Sequence, residues 1–557
     1  MEYKSEERVC KNCKNDFIIE PDDFSFYEKI KVPAPTFCPE CRMQRRMAWR
    51  NDYVFYNREC DLCKRKIISI YSPDNSQVIY CNTCWWSDKW DPKSFGRDFD
   101  FSCSFFEQFR EFRKKVPALA LVNDNGIGST NCEYVQNVQY SKDCYMAMVS
   151  WKLENCMYFS YGAEAKDAVD SMGIFSKSEG IYEALYSGDC YGSKYIQNCN
   201  SLMNCIFCYD CRGCSDCFMC FGLRNKKYYF KNIKYNKDEY EKILAKYSLD
   251  SWSGIKKAEK EFNEFLIKKP IKYANLTNCV DCTGNNIPNS KNSKNIFHLR
   301  NAEDCKYLEN GDTEKDSYDL CVGGELSLCY EGLTPDNSSR ALFTNYVWKS
   351  TDVLYSDFCM SSNNCFGCVG LKHGEYSIFN KRYKKEEYFE LKDKIIEHMK
   401  NIGEWGEFFP MSNSPFAYNE SMAQLSFPFV KDEALKRGLK WQDNIQQTKG
   451  KTTIFDIPDK ISSVPDSIID EILECLICKR NYKIIEEELS FYRKWNIPVP
   501  RNCFFCRLAK RFELRGPSKL WKRKCMKEEC NNEFETSYAP DKSEIIYCEQ
   551  CYQKEVY

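Results

Sequence analysis

Between residues 130 and 395 the chain alternates short β-prone runs with small-residue steps. Asn-Cys, Asp-Cys, Ser or Gly interrupts every three to five residues, as in Lys142-Asp143-Cys144-Tyr145 and Glu154-Asn155-Cys156-Met157-Tyr158. Short strands with frequent corners predict stacked coils, an irregular parallel β-solenoid; an ordinary antiparallel β-domain is the alternative. The pattern occurs twice. Tyr182-Glu183-x-Leu185 matches Tyr330-Glu331-x-Leu333, 148 residues later, and at that offset Cys211, Cys217, Cys220, Gly222, Tyr228, Asn232 and Tyr240 meet Cys359, Cys365, Cys368, Gly370, Tyr376, Asn380 and Tyr388.

Helical spacing marks other stretches. Phe106, Phe109 and Phe112 predict a helix over 105–114. Each coil run ends in a helical tail, one opening at Asn236 with Ile243, Leu244 and Tyr247 on one face, the other spanning Lys384–Met399. Such tails suit the exposed end of a repeat stack. The charged stretch 256–269 reads as a solvated helix, and short helices are expected at 431–440 and 466–475. Alternation in Ile67-Ile68-Ser69-Ile70-Tyr71, a turn at Ser72-Pro73-Asp74-Asn75 and Val78-Ile79-Tyr80 predict a hairpin within 64–80.

Cysteine pairs bracket this centre. The N-terminal set is Cys10/Cys13, Cys38/Cys41, Cys60/Cys63 and Cys81/Cys84. The C-terminal set is Cys475/Cys478, Cys503/Cys506, Cys525/Cys530 and Cys548/Cys551. The first half aligns without a gap, since Cys475 lies 465 residues after Cys10, Phe491-Tyr492 after Phe26-Tyr27, and Pro498 and Pro500 after Pro33 and Pro35. Paired thiolates at this spacing close a tetrahedral site around zinc, with no open position for chemistry. Four structural Zn²⁺ sites are therefore expected. The opening Met1-Glu2-Tyr3-Lys4-Ser5-Glu6 has no apolar secretory segment, which sets the expectation of a cytoplasmic protein with reduced thiols.

Residues 10–46 and 475–511, with Cys-x2-Cys-Lys, an aromatic (Phe17, Tyr482), Phe-Tyr, Pro-x-Pro and Cys-x2-Cys-Arg, resemble the treble-clef zinc-ribbon domain family of uncharacterised bacterial proteins. The resemblance implies a metal-supported fold and no activity.

The resulting plan is mainly β with short helices. Tandem zinc-ribbon modules occupy 1–90 and 475–557, with connectors at 91–129 and 401–474. Solenoid repeats with helical tails occupy 130–270 and 271–400.

Net charge is −1, from 80 basic and 81 acidic residues, so whole-chain electrostatics call for neither nucleic acid nor membrane. Mean hydropathy is −0.61, and no run reaches the roughly 18 apolar residues of a membrane span. Three histidines, His298, His373 and His398, leave little room for imidazole chemistry.

Three local features carry competing readings. Cys205, Cys208, Cys211, Cys214, Cys217 and Cys220 recur every third residue. An iron–sulfur cluster uses similar spacing, but Val353, Ser356 and Ser362 replace Cys205, Cys208 and Cys214 in the second copy, which favours packing. Arg42, Arg45, Arg46 and Arg50, matched by Arg507, Lys510, Arg511 and Arg515, form a basic helical stripe beside Trp49. The stripe is suited to RNA or single-stranded DNA, or to pairing with neighbouring acids. The duplicated acids Asp167, Asp170, Glu183 and Asp316, Asp319, Glu331 are candidates for polysaccharide chemistry of the kind β-helices host, or are corner residues. No phosphate-binding glycine loop, Gly-x-Ser-x-Gly elbow or His-Glu-x2-His is present. The expected protein is a non-enzymatic zinc-binding scaffold or adaptor with an elongated β-repeat surface. It would engage an unidentified protein partner or itself, as dimers or head-to-tail filaments, with nucleic acid as the alternative partner.

Overall fold

The computed structural model describes residues 3–556 apart from 124–127, 133, 159–164, 167–168, 170, 172, 174–177, 184, 446–447 and 455. The chain forms a β-solenoid of about 19 turns, with few helices and four-cysteine clusters in both terminal modules. It divides into two compact units: residues 1–120, 274–445 and 518–520 form one, and 121–273, 446–517 and 521–557 the other. The N-terminal module thus folds with the second run of coils, and the C-terminal module with the first.

One coil takes 12 residues. Gln136 pairs with Met148, Ile206 with Phe218, and Phe297 with Glu309, all in parallel register. From Asn286 to Asn364, φ is positive at every third residue, which gives four corners per coil. The left-handed conformation costs roughly 1–2 kcal/mol for most L-residues and least for Asn, Asp and Gly. That preference explains the Asn-Cys and Asp-Cys steps: Asn or Asp takes the corner, and the next residue turns inward. Every described cysteine between Cys132 and Cys368 except Cys321 follows a residue of positive φ.

The interior is narrow, and its residues are mostly small or medium-sized: Leu299, Ala302, Cys305 and Leu308 fill one coil. Inward hydroxyls and thiols also satisfy backbone groups. Ser317 Oγ donates to Lys315 O at 2.8 Å and accepts from Cys329 N at 3.1 Å, one coil on. Cys217 Sγ donates likewise to Ser215 O at 3.3 Å.

The C-terminal end of each coil run carries the same cap. Asn232 Oδ1 accepts from Phe221 N and Asn232 Nδ2 donates to Phe221 O. Asn380 does the same for Val369. One side chain stands in for the missing next strand. The helices Lys237–Ala245 and Lys385–Asn401 then bury Tyr240 and Tyr388 over these last coils.

Several local expectations need correction. Lys66–Ser69 pairs with Tyr56–Glu59, across the first ligand loop, and Ile79–Tyr80 pairs with Ala118–Leu119, so 64–80 is not a hairpin. The left-handed Lys64 turns the chain back between the first two strands. The helix Trp252–Leu266 is not simply solvated: Ile255, Ala258 and Phe262 are buried, with Phe262 5.7 Å from Phe207. The helix expected at 431–440 is shorter, Lys431–Lys436, and 466–475 holds only a 3-10 turn, Asp466–Ile469, before the strand Leu473–Glu474. The helix Phe105–Lys115 forms as expected.

Candidate metal centres

The four clusters are Cys10/Cys13/Cys38/Cys41, Cys60/Cys63/Cys81/Cys84, Cys475/Cys478/Cys503/Cys506 and Cys525/Cys530/Cys548/Cys551, each with its four sulfurs within 4.8 Å of one another. All are built alike. The first pair sits on a tight turn whose left-handed residue is Lys14, Lys64, Lys479 or Glu529. Cys10 N donates to Asn15 O and Lys14 N to Cys10 O; Cys60 and Cys475 repeat this. The second pair opens a helix: Pro39–Met47, Asn82–Trp85, Phe504–Arg515 or Glu549–Val556.

The donor spacing discriminates between disulfide and metal. Cys13 and Cys38 sulfurs are 3.7 Å apart, Cys63 and Cys81 3.9 Å, Cys478 and Cys503 3.6 Å, and Cys530 and Cys548 3.9 Å. A disulfide requires about 2.05 Å. Four thiolates about 2.3 Å from a tetrahedral ion lie roughly 3.8 Å apart. The residues present therefore fit one tetrahedral ion per cluster.

Backbone amides donate to the first sulfur of three clusters, although burial still holds the Cys60 and Cys525 thiols above their ordinary value. Cys38 N donates to Cys10 Sγ at 3.2 Å, Cys81 N to Cys60 Sγ at 3.2 Å, and Cys548 N to Cys525 Sγ at 3.3 Å. Burial pushes the Cys10 thiol up, but the amides of Cys38, Cys13 and Asn12 outweigh it and bring it to about 7. The Arg65 amide lowers Cys63 to about 7.

The basic stripe is turned inward. Arg42, Arg45, Arg46 and Arg50 are 1–4% exposed. Arg45 donates to Glu331 at 2.8 Å and Glu407 at 2.7 Å. Arg46 reaches Glu331 at 2.9 Å and Asp319 at 3.2 Å, Arg42 lies 2.9 Å from Asp319, and Arg50 lies 2.6 Å from Asp52. Trp49 is buried, its indole donating to Pro410 O. Arg42, Arg45 and Arg46 and two of the acids considered for sugar chemistry, Asp319 and Glu331, are thus partners in one buried network, which is the pairing reading for these residues. Asp316 lies on the surface, 3.1 Å from Lys29.

The second unit docks its module in the same way. Tyr27 meets Tyr330 edge-on at 5.6 Å, as Tyr492 meets Tyr182 at 5.9 Å. Arg42 lies 5.2 Å from the Tyr307 ring, and Arg507 5.8 Å from that of Tyr158. Arg507 also lies 3.7 Å from Glu488, Lys510 pairs with Glu259, and Arg511 and Arg515 are buried. Glu183 is half-buried, close enough to raise Lys510, whereas Asp167 and Asp170 fall outside the described residues.

The cysteine ladder lines the coil interior. Cys205, Cys208, Cys211, Cys214, Cys217 and Cys220 are all at most 1% exposed, and each thiol donates to the carbonyl two residues earlier. Among the described residues, the compact sulfur groups are the four module clusters. The partners within the buried network around Glu331 are not readable one by one from the sequence, whose signal for them is the equal duplication of the arginines and the acids. No known family matches this sequence, and no curated protein does. Among the described residues, no helix is long and apolar enough to cross a membrane.

Proposed function

We propose that the chain is a non-enzymatic scaffold whose four clusters hold structural zinc and whose coils present an interaction surface. The four-thiolate donor sets support zinc, which favours tetrahedral sulfur coordination and performs no redox chemistry of its own. Zinc bound there would fix the turn and helix of each ribbon. With four protein ligands it would have no position for a reacting molecule.

The observation that carries the reading is the buried network of Arg42, Arg45 and Arg46 with Asp319 and Glu331. Three arginines of the N-terminal stripe and two of the candidate acids neutralise each other inside the fold. This supports docking of the module on the coils as their role. Purified zinc-loaded protein is expected to show the 260/280 nm absorbance ratio of protein alone and no RNA or single-stranded DNA binding at low salt. Co-purified nucleic acid, or RNA affinity that falls steeply with salt, would favour the nucleic-acid reading.

A further inference from the structure

A cleft of about 350 Å³ opens in the unit that holds the N-terminal module. Its walls are the turn Ser72–Gln77, the helix Phe105–Lys115, the segment 413–420 and residues Lys440, Trp441 and Gln442. Four cations line it, Arg110, Arg113, Lys114 and Lys440, against two carboxylates, Asp74 and Glu420. Glu420 offsets part of this charge at Lys440. Glu420 is held by Tyr56 Oη and Ala417 N, each donating at 2.6 Å, and Asp74 is exposed at the rim.

The cations differ in what they have left to offer. Arg113 is committed to Asp357 and to Gln77 Oε1. Arg110 and Lys114 share a single exposed carboxylate, Glu111, at 2.9 Å each. Lys440 Nζ donates to Ser414 O at 2.6 Å and makes no ion pair among the described residues. Burial, with the charges of Arg113, Lys114 and Arg110, holds its ammonium below the ordinary lysine range. An anion placed among these groups would relieve that repulsion.

The walls are already fixed. Asn75 Nδ2 donates to Pro415 O, Gln77 Nε2 to Arg113 O, and Asn413 Nδ2 to Phe106 O. A site formed in advance loses little on binding. Its volume lies at the small end of ligand clefts, roughly 300–1,000 Å³, which suits a metabolite-sized molecule better than a polymer.

We propose that this cleft binds a small phosphomonoester, with Lys440, Arg110 and Lys114 at the phosphate and Trp441 against the organic part. None of these residues belongs to a cysteine cluster, so the proposal stands apart from the scaffold reading. Calorimetry and tryptophan fluorescence on the full zinc-loaded chain test it, with inorganic phosphate, ribose 5-phosphate, adenosine 5′-monophosphate and adenosine as probes.

The phosphate-bearing probes are expected to bind and adenosine to fail. Lys440→Ala and Lys114→Ala should each weaken adenosine 5′-monophosphate binding about tenfold, the loss of one charge-assisted hydrogen bond. Lys114 lies at the surface, so the melting temperature of Lys114→Ala without ligand should not move, whereas Lys440→Ala also loses the bond to Ser414 O. No binding of the phosphate probes at millimolar concentration would overturn the proposal. So would adenosine binding as tightly as its monophosphate, or unchanged affinity in both variants.

Discussion

At Val322 a β-branched residue occupies a left-handed corner with φ of 57°. The coil forces this conformation, and Asn adopts it more readily. Val322→Asn is therefore expected to stabilise the protein by about 1 kcal/mol, read as a raised urea midpoint at unchanged slope. A second residue-scale strain sits inside the coils. Glu314 points inward at 2% exposure, its Oε1 accepting from Asp312 N at 2.9 Å. Gly311 leaves it room, since a Cβ there would lie 2.1 Å from Glu314 Oε1. Burial, helped by the nearby Asp312 charge, drives its carboxyl well above the ordinary range. A raised carboxyl favours the fold fully below the unfolded value of about 4.3 and progressively less as pH rises toward its folded value. Glu314→Gln should flatten that decline; identical pH–stability curves for the two proteins would contradict the placement.

At the scale of elements, the helix Pro39–Met47 is both the second half of a cysteine cluster and the carrier of the docking arginines. Glu331 receives two of them. Burial works to raise its carboxyl, and the Arg45, Arg46 and Arg42 charges overcome this and hold it below the ordinary range. Its contribution is full above the unfolded value of about 4.3 and is lost as pH falls through the depressed folded value. Glu331→Ala leaves buried guanidinium groups without their carboxylate and should cost about 3–5 kcal/mol by denaturant unfolding, whereas a surface change would cost nearly nothing.

The coils were legible from their Asn-Cys and Asp-Cys steps, but the period of three showed only in the cysteine ladder, where it did not declare itself as the spacing of coil corners. It matches neither the strand period of two nor the helical 3.6. Corners also accept residues that give no turn signal, such as Tyr355, Phe343 and Lys349. Similarly, Ile67–Tyr71 has the alternation of a strand, yet nothing local says that its partner is Tyr56–Glu59. The duplicated Asn232 and Asn380 were visible as a repeat; their role as end caps needed the hydrogen bonds.

On the scale of the whole chain, both duplications combine crosswise. The order along the sequence is module, coils, coils, module, but each compact unit joins the N-terminal module to the later coils or the C-terminal module to the earlier ones. Matching contacts, Tyr27 with Tyr330 and Tyr492 with Tyr182, show one docking mode used twice. A ribbon this small would depend for its fold on an ion held by its four thiolates. Chelation is expected to loosen both modules while the coils keep their β signal in circular dichroism. Loss of all β structure on chelation would place the coils under metal control as well.

The most direct measurement is the metal content of the purified reduced protein, by native mass spectrometry with elemental analysis. The four clusters predict four zinc ions per chain, all sixteen of their thiols blocked from alkylation until the metal is removed. Fewer than four ions, a different metal, or disulfides between these cysteines would contradict the account.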